Sequence, residues 1–296
     1  MAIAASLVGA ATAAVHHEVD ARWLMAYAAG LGDHNPRYLD TLAPEGIVAH
    51  PLFPVCPEWP AVLATRDLFL AHGTPLDELR RGIHATHDLV LHRPIVPGDR
   101  LTTLTRISAV EARRPGAFVL AHLQTRDAEG EVVADTWQGS LYLGSGVEGR
   151  ADASAASAVA LPPPAPQPRT STDAGARPAS HRRIELAPGA AHVYTECARI
   201  WNPIHTDPVA AERAGLDGII LHGTATLALA VGEAVDHHAG GDPTRVARVV
   251  ARFAAMVPLP SSVEVRTTDH GDGLIGVSVL NADTVEALRA AFVQVL

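Results

Sequence analysis

The sequence predicts an α+β protein with two similar domains, each an antiparallel sheet wrapped around a central helix. Three observations predict this fold class: an internal repeat, a Pro- and Ala-rich segment between the two copies, and the same order of helical and strand patterns in each copy. At 296 residues, the chain is long enough for two domains that each bury a core.

The internal repeat is the strongest of these observations. Residues 27–40, YAAGLGDHNPRYLD, align with residues 194–207, YTECARIWNPIHTD, at a constant offset (202 − 35 = 167). Further on, GIVAHP at 46–51 matches GIILHG at 218–223, and IVPGDRL at 95–101 matches MVPLPSSV at 256–263. Three matches in the same order predict a duplicated unit.

The segment between the copies has few large apolar residues and contains a Pro-Pro-Pro run. Such a composition cannot bury enough surface to order itself, and proline stiffens it into an extended spacer. The predicted organisation is therefore an N-terminal domain at 1–150, a linker at 151–180 and a C-terminal domain at 181–296.

Each copy begins with helical patterns and continues with strand patterns. Asp20 is a predicted helix N-cap, and helices are predicted near 60–72 and over 224–238, the second closed by Gly240 and Gly241. Alternating or fully apolar runs predict the strands that follow. They lie near 88–96, 100–110, 117–127, 132–144, 245–257, 261–269, 274–282 and 287–296.

Composition excludes several classes of function. The formal net charge of −9 argues against a nucleic-acid partner, because phosphates require a basic surface. Two cysteines are too few for a disulfide framework. The apolar stretch 1–15 lacks the basic region of a secretion signal, and no segment has the length of a membrane span. We therefore expect a soluble, cytoplasmic protein.

The segment WNPIHTDPVAAERAGLDGIILHG at 201–223 resembles the hydratase-2 motif of the MaoC-like family, N-P-x-H-x-D-P followed by H-G. The flanking strands are also similar to that family. The resemblance implies two hotdog domains in tandem that form a pseudo-dimer. It also implies a carbon–oxygen lyase that hydrates 2-enoyl thioesters or dehydrates 3-hydroxyacyl thioesters of fatty acid metabolism, with acyl-CoA or acyl carrier protein as partner.

The resemblance implies a catalytic role for four residues. His205 takes the position of the family histidine, Gly223 that of the oxyanion glycine, and Asn202 would fix the motif loop and its water. Hydration needs such groups, since water must be activated and the charge on the thioester oxygen stabilised. Asp33 in the first copy is the fourth candidate. His222 and Thr224, at the start of the 224–238 helix, are candidate substrate-binding residues.

The chain departs from the family pattern in both copies. The family aspartate should stand at position 200, which is Ile200, whereas in the first copy Asp33 is present but Tyr38 replaces the histidine. Three alternatives remain: His205 acts alone or with another partner, Asp33 reaches it across the pseudo-dimer, or the activity is lost. Because Pro51 has no N–H at the glycine position, the first-copy site is predicted to be degenerate.

No metal and no cofactor are predicted. His84 and His87 should lie on opposite faces of one strand, which separates them as ligands. The alternative functions are a hotdog thioesterase, for which Glu233 is a candidate carboxylate, and a non-catalytic acyl-thioester-binding protein. A homodimer of double-hotdog chains is a further option. The sequence leaves acyl length, branching, carrier, stereochemistry, pathway and oligomeric state open.

Overall fold

The computed structural model describes residues 2–166 and 178–296. The described residues form two compact units, and each unit combines three separate stretches of the chain. Unit 1 draws on Met1–His17, Pro57–Leu89 and Arg100–Pro164, and unit 2 on Glu18–Cys56, Val90–Asp99 and Ala165–Leu296. The first-copy motif loop thus packs with the C-terminal part of the chain. The predicted domain boundaries at 150 and 181 stay a prediction.

Unit 1 contains an antiparallel sheet in which the strands follow the order β2-β4-β5-β6-β3, and a parallel pair of short strands, β1 and β7. The strands are β1 Ala2–Ala4, β2 Val15–Glu18, β3 Gly82–Leu91, β4 Arg100–Arg113, β5 Gly116–Arg126, β6 Val132–Leu143 and β7 Gly146–Glu148. These bounds confirm the strands predicted near 100–110, 117–127 and 132–144. The strand predicted near 88–96 is displaced, because β3 begins at Gly82 and ends at Leu91.

The core of unit 1 lies between this sheet and helix α3. Its helices are α3 Val55–Ala71, α4 Leu76–Leu79 and α5 Ala153–Ser157. Phe69 of α3 packs against Ile107, Val119 and Tyr142 of the sheet, and all four are nearly fully buried. The helix predicted near 60–72 is therefore confirmed, with five more residues at its N-terminus.

Part of the predicted linker is attached to unit 1. The carbonyl of Ala160 accepts hydrogen bonds from Ser108 Oγ at 2.8 Å and from Trp137 Nε1 at 3.2 Å. Residues 167–177 lie outside the described part of the chain, and strand β8 already begins at Pro178. Described residues at both ends of the predicted 151–180 linker therefore belong to folded structure, through Ala160 and the start of β8.

Unit 2 has an antiparallel sheet with the order β9-β12-β11-β10-β8. Its strands are β8 Pro178–Leu186, β9 Val246–Phe253, β10 Ser261–Asp269, β11 Leu274–Leu280 and β12 Glu286–Val295. The last four confirm the predicted strands of the second half.

Helix α8, Gly223–His238, is the central helix of unit 2 and packs on β9 to β12. Most of its residues are Ala, Val, Leu or Gly, and those from Ala225 to Val235 are almost all buried, as expected for a helix that is apolar all round. Gly240 and Gly241 follow with φ of +66° and +77°, which confirms the predicted glycine end.

Four short helices complete unit 2: α1 Ala21–Gly30, α2 Pro36–Leu39, α6 Ala190–Ala198 and α7 Pro208–Arg213. Asp20 caps α1 by accepting the Trp23 N–H at 2.7 Å, as predicted. Helices α1 and α6 pack together, with the rings of Tyr27 and Tyr194 5.8 Å apart. The two repeat copies therefore meet inside this unit.

The prediction that His84 and His87 point to opposite faces is wrong. Their ring centroids are 5.5 Å apart, and His84 Nε2 bonds to the Thr86 carbonyl at 3.1 Å. Burial lowers their pKa values to about 4 and about 3, so both rings are neutral near pH 7. Among residues 2–166 and 178–296, no group of three or more His, Cys, Asp or Glu side chains could hold a metal ion. Over the same ranges, no helix is long and apolar enough to cross a membrane.

Candidate active site

The motif loop of the second copy places His205 beside the N-terminus of α8. Pro203–His205 forms one turn of 3-10 helix, and Asp207 caps α7 by accepting the Val209 N–H at 2.9 Å. His205 Nδ1 lies 2.9 Å from the carbonyl oxygen of Ile220. Since a carbonyl only accepts, Nδ1 carries the proton and Nε2 has a free lone pair.

The environment of His205 keeps its ring neutral. Only 9% of the residue is exposed, and burial lowers the pKa of the imidazole, although the bond to the Ile220 carbonyl opposes this shift. Nε2 makes no hydrogen bond to the residues that the structure describes. A neutral imidazole with a free Nε2 can take a proton from water.

His222 lies directly against His205. The two rings stack with centroids 3.7 Å apart and an interplanar angle of 24°. Burial and, to a smaller extent, the proximity of His205 lower the pKa of His222 to about 3, and Nε2 lies 3.2 Å from the Thr195 hydroxyl. His222 is thus a neutral packing partner of His205. Its predicted role in substrate binding stays a prediction.

Gly223 and Thr224 open helix α8, where backbone N–H groups have no partner within the helix. His222 is the N-cap residue and its side chain makes no capping hydrogen bond. The Thr224 hydroxyl accepts from Tyr194 OH at 3.0 Å. The free N–H groups and the positive end of the helix dipole suit a developing oxyanion.

Position 223 has little room for a side chain, because a Cβ there would lie 3.0 Å from the Phe253 ring. We expect Gly223→Ala to lower the free energy of unfolding by about 1 kcal/mol, since the half-buried ring must shift. Urea unfolding checks this. Gly218→Ala is the matched control, because nothing lies within 4 Å of that Cβ position. Equal effects of the two substitutions would contradict the steric account.

Ile200 occupies the position at which a carboxylate would be expected. It is 5% exposed, and its N–H bonds to the Thr195 carbonyl at 3.1 Å. The preceding Arg199 ends α6 in the left-handed region at φ 58°, with its guanidinium 3.9 Å from the Trp23 ring centroid. Among the described residues, no carboxylate forms a hydrogen bond with His205.

Asn202 does not hold the loop in the way its sequence position indicates. It is the N-cap of the 3-10 turn, but its side chain makes no capping bond; its carbonyl accepts the His205 N–H at 3.1 Å. In the first copy, the Asn35 side chain accepts the Arg37 N–H and donates to the Gly241 carbonyl at 2.8 Å. Loop fixation by the amide is thus seen at Asn35 and not at Asn202.

The first copy repeats the aromatic arrangement of the second. The Tyr38 and His50 rings are 5.5 Å apart, at the positions that align with His205 and His222. In the first copy these positions offer fewer free polar groups to a ligand. His50 Nδ1 already accepts the Leu52 N–H at 3.0 Å, and Pro51 has no N–H to donate. These contacts agree with a degenerate first-copy site.

Asp33 lies beside Gly232, nine positions along α8 from Gly223. Nine residues of helix rise about 13 Å. Asp33 and His205 therefore lie next to different parts of α8, and this separation disfavours a direct hydrogen bond between them. Burial raises the pKa of Asp33, while the Asn35 N–H lowers it.

Tyr194 and Thr195 are site residues that the sequence reasoning did not single out. Tyr194 lies 4.9 Å from the His222 ring and bonds to Thr224. The repeat could have indicated Tyr194, because it aligns with Tyr27 in the first copy. Thr195 aligns with Ala28, so the repeat gives no indication of it.

Comparison with known sequences matches residues 169–288 to the MaoC like domain. The chain carries a MaoC-like domain. A second match, to the FAS1-like dehydratase domain region, covers residues 6–136. A fatty acid synthase beta subunit of Emericella nidulans is 41% identical over 91 residues, which is 29% of this chain and 5% of that subunit. The match to this curated relative thus spans a small fraction of the relative's length.

Comparison with solved structures identifies the fold of the whole chain. A MaoC-like dehydratase from Phytophthora capsici superposes with a TM-score of 0.79 and 21% identity, over 98% of each chain. A Mycobacterium tuberculosis protein described as having a double hotdog fold superposes with a TM-score of 0.60 and 17% identity, covering 96% of this chain and 94% of that one. The chain has the double hotdog fold, which confirms the predicted fold class.

Proposed function

We propose that the chain catalyses the reversible hydration of 2-enoyl thioesters, which in reverse is the dehydration of 3-hydroxyacyl thioesters. The observation that carries this proposal is the neutral His205 ring, with Nε2 free, beside the unpartnered N–H groups at the start of α8. A base for water and donors for an oxyanion are the two requirements of this reaction.

In the proposed mechanism, His205 Nε2 takes a proton from water while the water oxygen bonds to C3 of the enoyl group. The electron pair of the C2=C3 bond moves toward the thioester oxygen, whose negative charge the N–H groups of Gly223 or Thr224 stabilise. The imidazolium then returns the proton to C2. Since Ile200 replaces a carboxylate, one residue serves as base and then as acid, and the two steps add one water in total.

The substrate class is also part of the proposal. The matches to dehydratase domains and to a fatty acid synthase subunit support an acyl thioester of fatty acid metabolism, carried by coenzyme A or by an acyl carrier protein. We propose that the reaction draws only on protein groups and water, and that no nucleic acid or membrane takes part.

An absorbance assay tests the proposal. Purified protein is incubated with short and medium 2-enoyl-CoA, and the conjugated thioester absorbance is followed together with free thiol. Loss of absorbance without thiol supports hydration, and release of thiol supports the thioesterase alternative. No turnover at any chain length contradicts both and favours an acyl-binding role.

The thioesterase alternative depends on Glu233, and its surroundings weaken it. The carboxylate is 2% exposed and Oε1 forms an ion pair with Arg182 at 2.7 Å. It lies ten positions beyond Gly223, about 15 Å along the helix. A carboxylate that is already paired, and this far from the free N–H groups, is poorly placed to activate water for attack on a carbonyl held there.

A further inference from the structure

Unit 2 contains an open cleft of about 1240 Å³ that extends from Tyr194 and Ala225 along helix α8. Its walls come from the first-copy motif loop at 30–37, from strand β8 and from helix α8. His205 is not among its lining residues. A volume of this order accommodates a small organic ligand.

Part of the wall is apolar, with Leu31, Ile184, Leu186, Val193 and Leu229 facing the space. The small residues Ala225, Ala228 and Gly232 of α8 leave room along the helix. A ligand therefore gains from an apolar body that removes this surface from water.

The charged groups on the wall are predominantly acidic. Two arginines, Arg37 and Arg182, face six carboxylates, which belong to Asp33, Glu45, Glu185, Glu233, Asp236 and Asp242. Both guanidinium groups are already engaged, with Glu45 at 2.8 Å and Glu233 at 2.7 Å. Neither arginine of the wall is thus free of a carboxylate partner, and His34 is the remaining basic side chain there.

Negative charge in the cleft is only partly compensated. Asp33 and Asp236 form no ion pair with the described residues. Burial raises the pKa of each carboxyl group, and the negative charges of Glu233 near Asp33 and of Asp33 near Asp236 act in the same direction. Glu233, almost fully buried, has one oxygen, Oε2, that accepts no hydrogen bond, with His237 Nε2 3.4 Å away. A cation between these carboxylates would relieve their repulsion.

The helix accommodates the carboxylate of Asp33. A Cβ at Gly232 would lie 3.1 Å from Asp33 Oδ2, so glycine in the middle of α8 leaves space for the carboxylate. Glycine at such a position costs about 1 kcal/mol relative to alanine. The carboxylate of Asp33 therefore gives a physical reason for Gly232, although helix propensity disfavours glycine at that position.

We propose that this cleft binds a molecule with an apolar body and one cationic group, an amine or a guanidine, whose charge lies between Asp33 and Asp236. The proposal does not depend on the hydratase reaction, because neither carboxylate contributes to the His205 mechanism.

Calorimetric titration with three eight-carbon ligands of different charge tests this proposal. At pH 7.5, we expect octylamine to bind at least tenfold more tightly than octanol, and octanoate not to bind. Asp33→Asn and Asp236→Asn should each weaken octylamine binding about tenfold. Asparagine at 33 keeps the oxygen that accepts the Asn35 N–H, so the loop is retained.

Glu286→Gln is the charge-matched control, because that exposed carboxylate pairs with Arg289 and does not line the cleft. It should leave the affinity for octylamine within twofold. Octanol or octanoate binding as tightly as octylamine would overturn the proposal, and so would the absence of octylamine binding at millimolar concentration. Hydratase activity, measured on the same samples, reports separately on the proposed reaction.

Discussion

Replacing His205 by alanine is expected to lower kcat/KM for enoyl-thioester hydration by a factor of about 10² to 10⁴, the usual contribution of a positioned acid–base group. The reason is that His205 Nε2 is the free base beside the start of α8, and that the described residues place no carboxylate on this ring to replace it. Initial rates with a 2-enoyl-CoA, followed by absorbance, measure the effect.

His205→Asn separates the chemical role from a structural one. The asparagine amide can still donate to the Ile220 carbonyl, as Nδ1 does, but it has no counterpart of the basic Nε2. We expect both variants to fold, by circular dichroism, and both to lose activity. His16→Ala, at an exposed histidine of β2 that contacts the Thr102 hydroxyl, should keep most of the rate. An active asparagine variant would exclude His205 as the base.

The pH profile follows from the same ring. Burial holds the pKa of His205 below its ordinary value of 6.5. As the base must be neutral, kcat/KM should stay level from pH 8 downward and fall only below pH 6.5. A rate that already falls between pH 8 and 7 would contradict this assignment.

Glu58→Gln is expected to remove a large pH dependence of stability. Glu58 is 2% exposed, its Oε1 accepts from the Thr136 hydroxyl at 2.7 Å, and burial raises its pKa to about 8. The folded protein thus holds this proton up to about pH 8, whereas the unfolded chain releases it near 4.5. The stabilisation is complete below pH 4.5 and is lost as the pH rises toward 8, by about 1.4 kcal/mol per pH unit.

Urea unfolding of wild type and Glu58→Gln at pH 5, 6, 7 and 8 measures this effect. The free energy of unfolding of wild type should fall by about 4 kcal/mol relative to that of the variant across this range. Glu111→Gln, an exposed carboxylate of β4 that pairs with Arg113, is the control and should follow wild type. Parallel curves for wild type and Glu58→Gln would show that the carboxyl is not protonated in the folded state.

Much of the secondary structure could be predicted because it depends on local patterns. Helix α8 begins with a long run of small and apolar residues, and alternation predicts β10 at its observed bounds. The two compact units could not be predicted, since they depend on long-range packing. Residues 18–56 join the C-terminal part through contacts such as Asn35 with Gly241, which no local pattern contains.

The same distinction applies to the site. The motif identified His205 and Gly223, because spacing along a loop and a helix start is a local property. The stacking of His205 on His222 and the position of Asp33 beside Gly232 result from tertiary structure. The bond from the His205 N–H to the Asn202 carbonyl is a contact that the motif does not specify.

Incubation in ¹⁸O-labelled water tests the central claim most directly. With a 2-enoyl-CoA substrate and mass spectrometry of the products, we predict an intact thioester that has gained one water and carries the label on C3. Label in a free carboxylic acid, together with released thiol, would show that water attacks the thioester carbonyl and would contradict hydration.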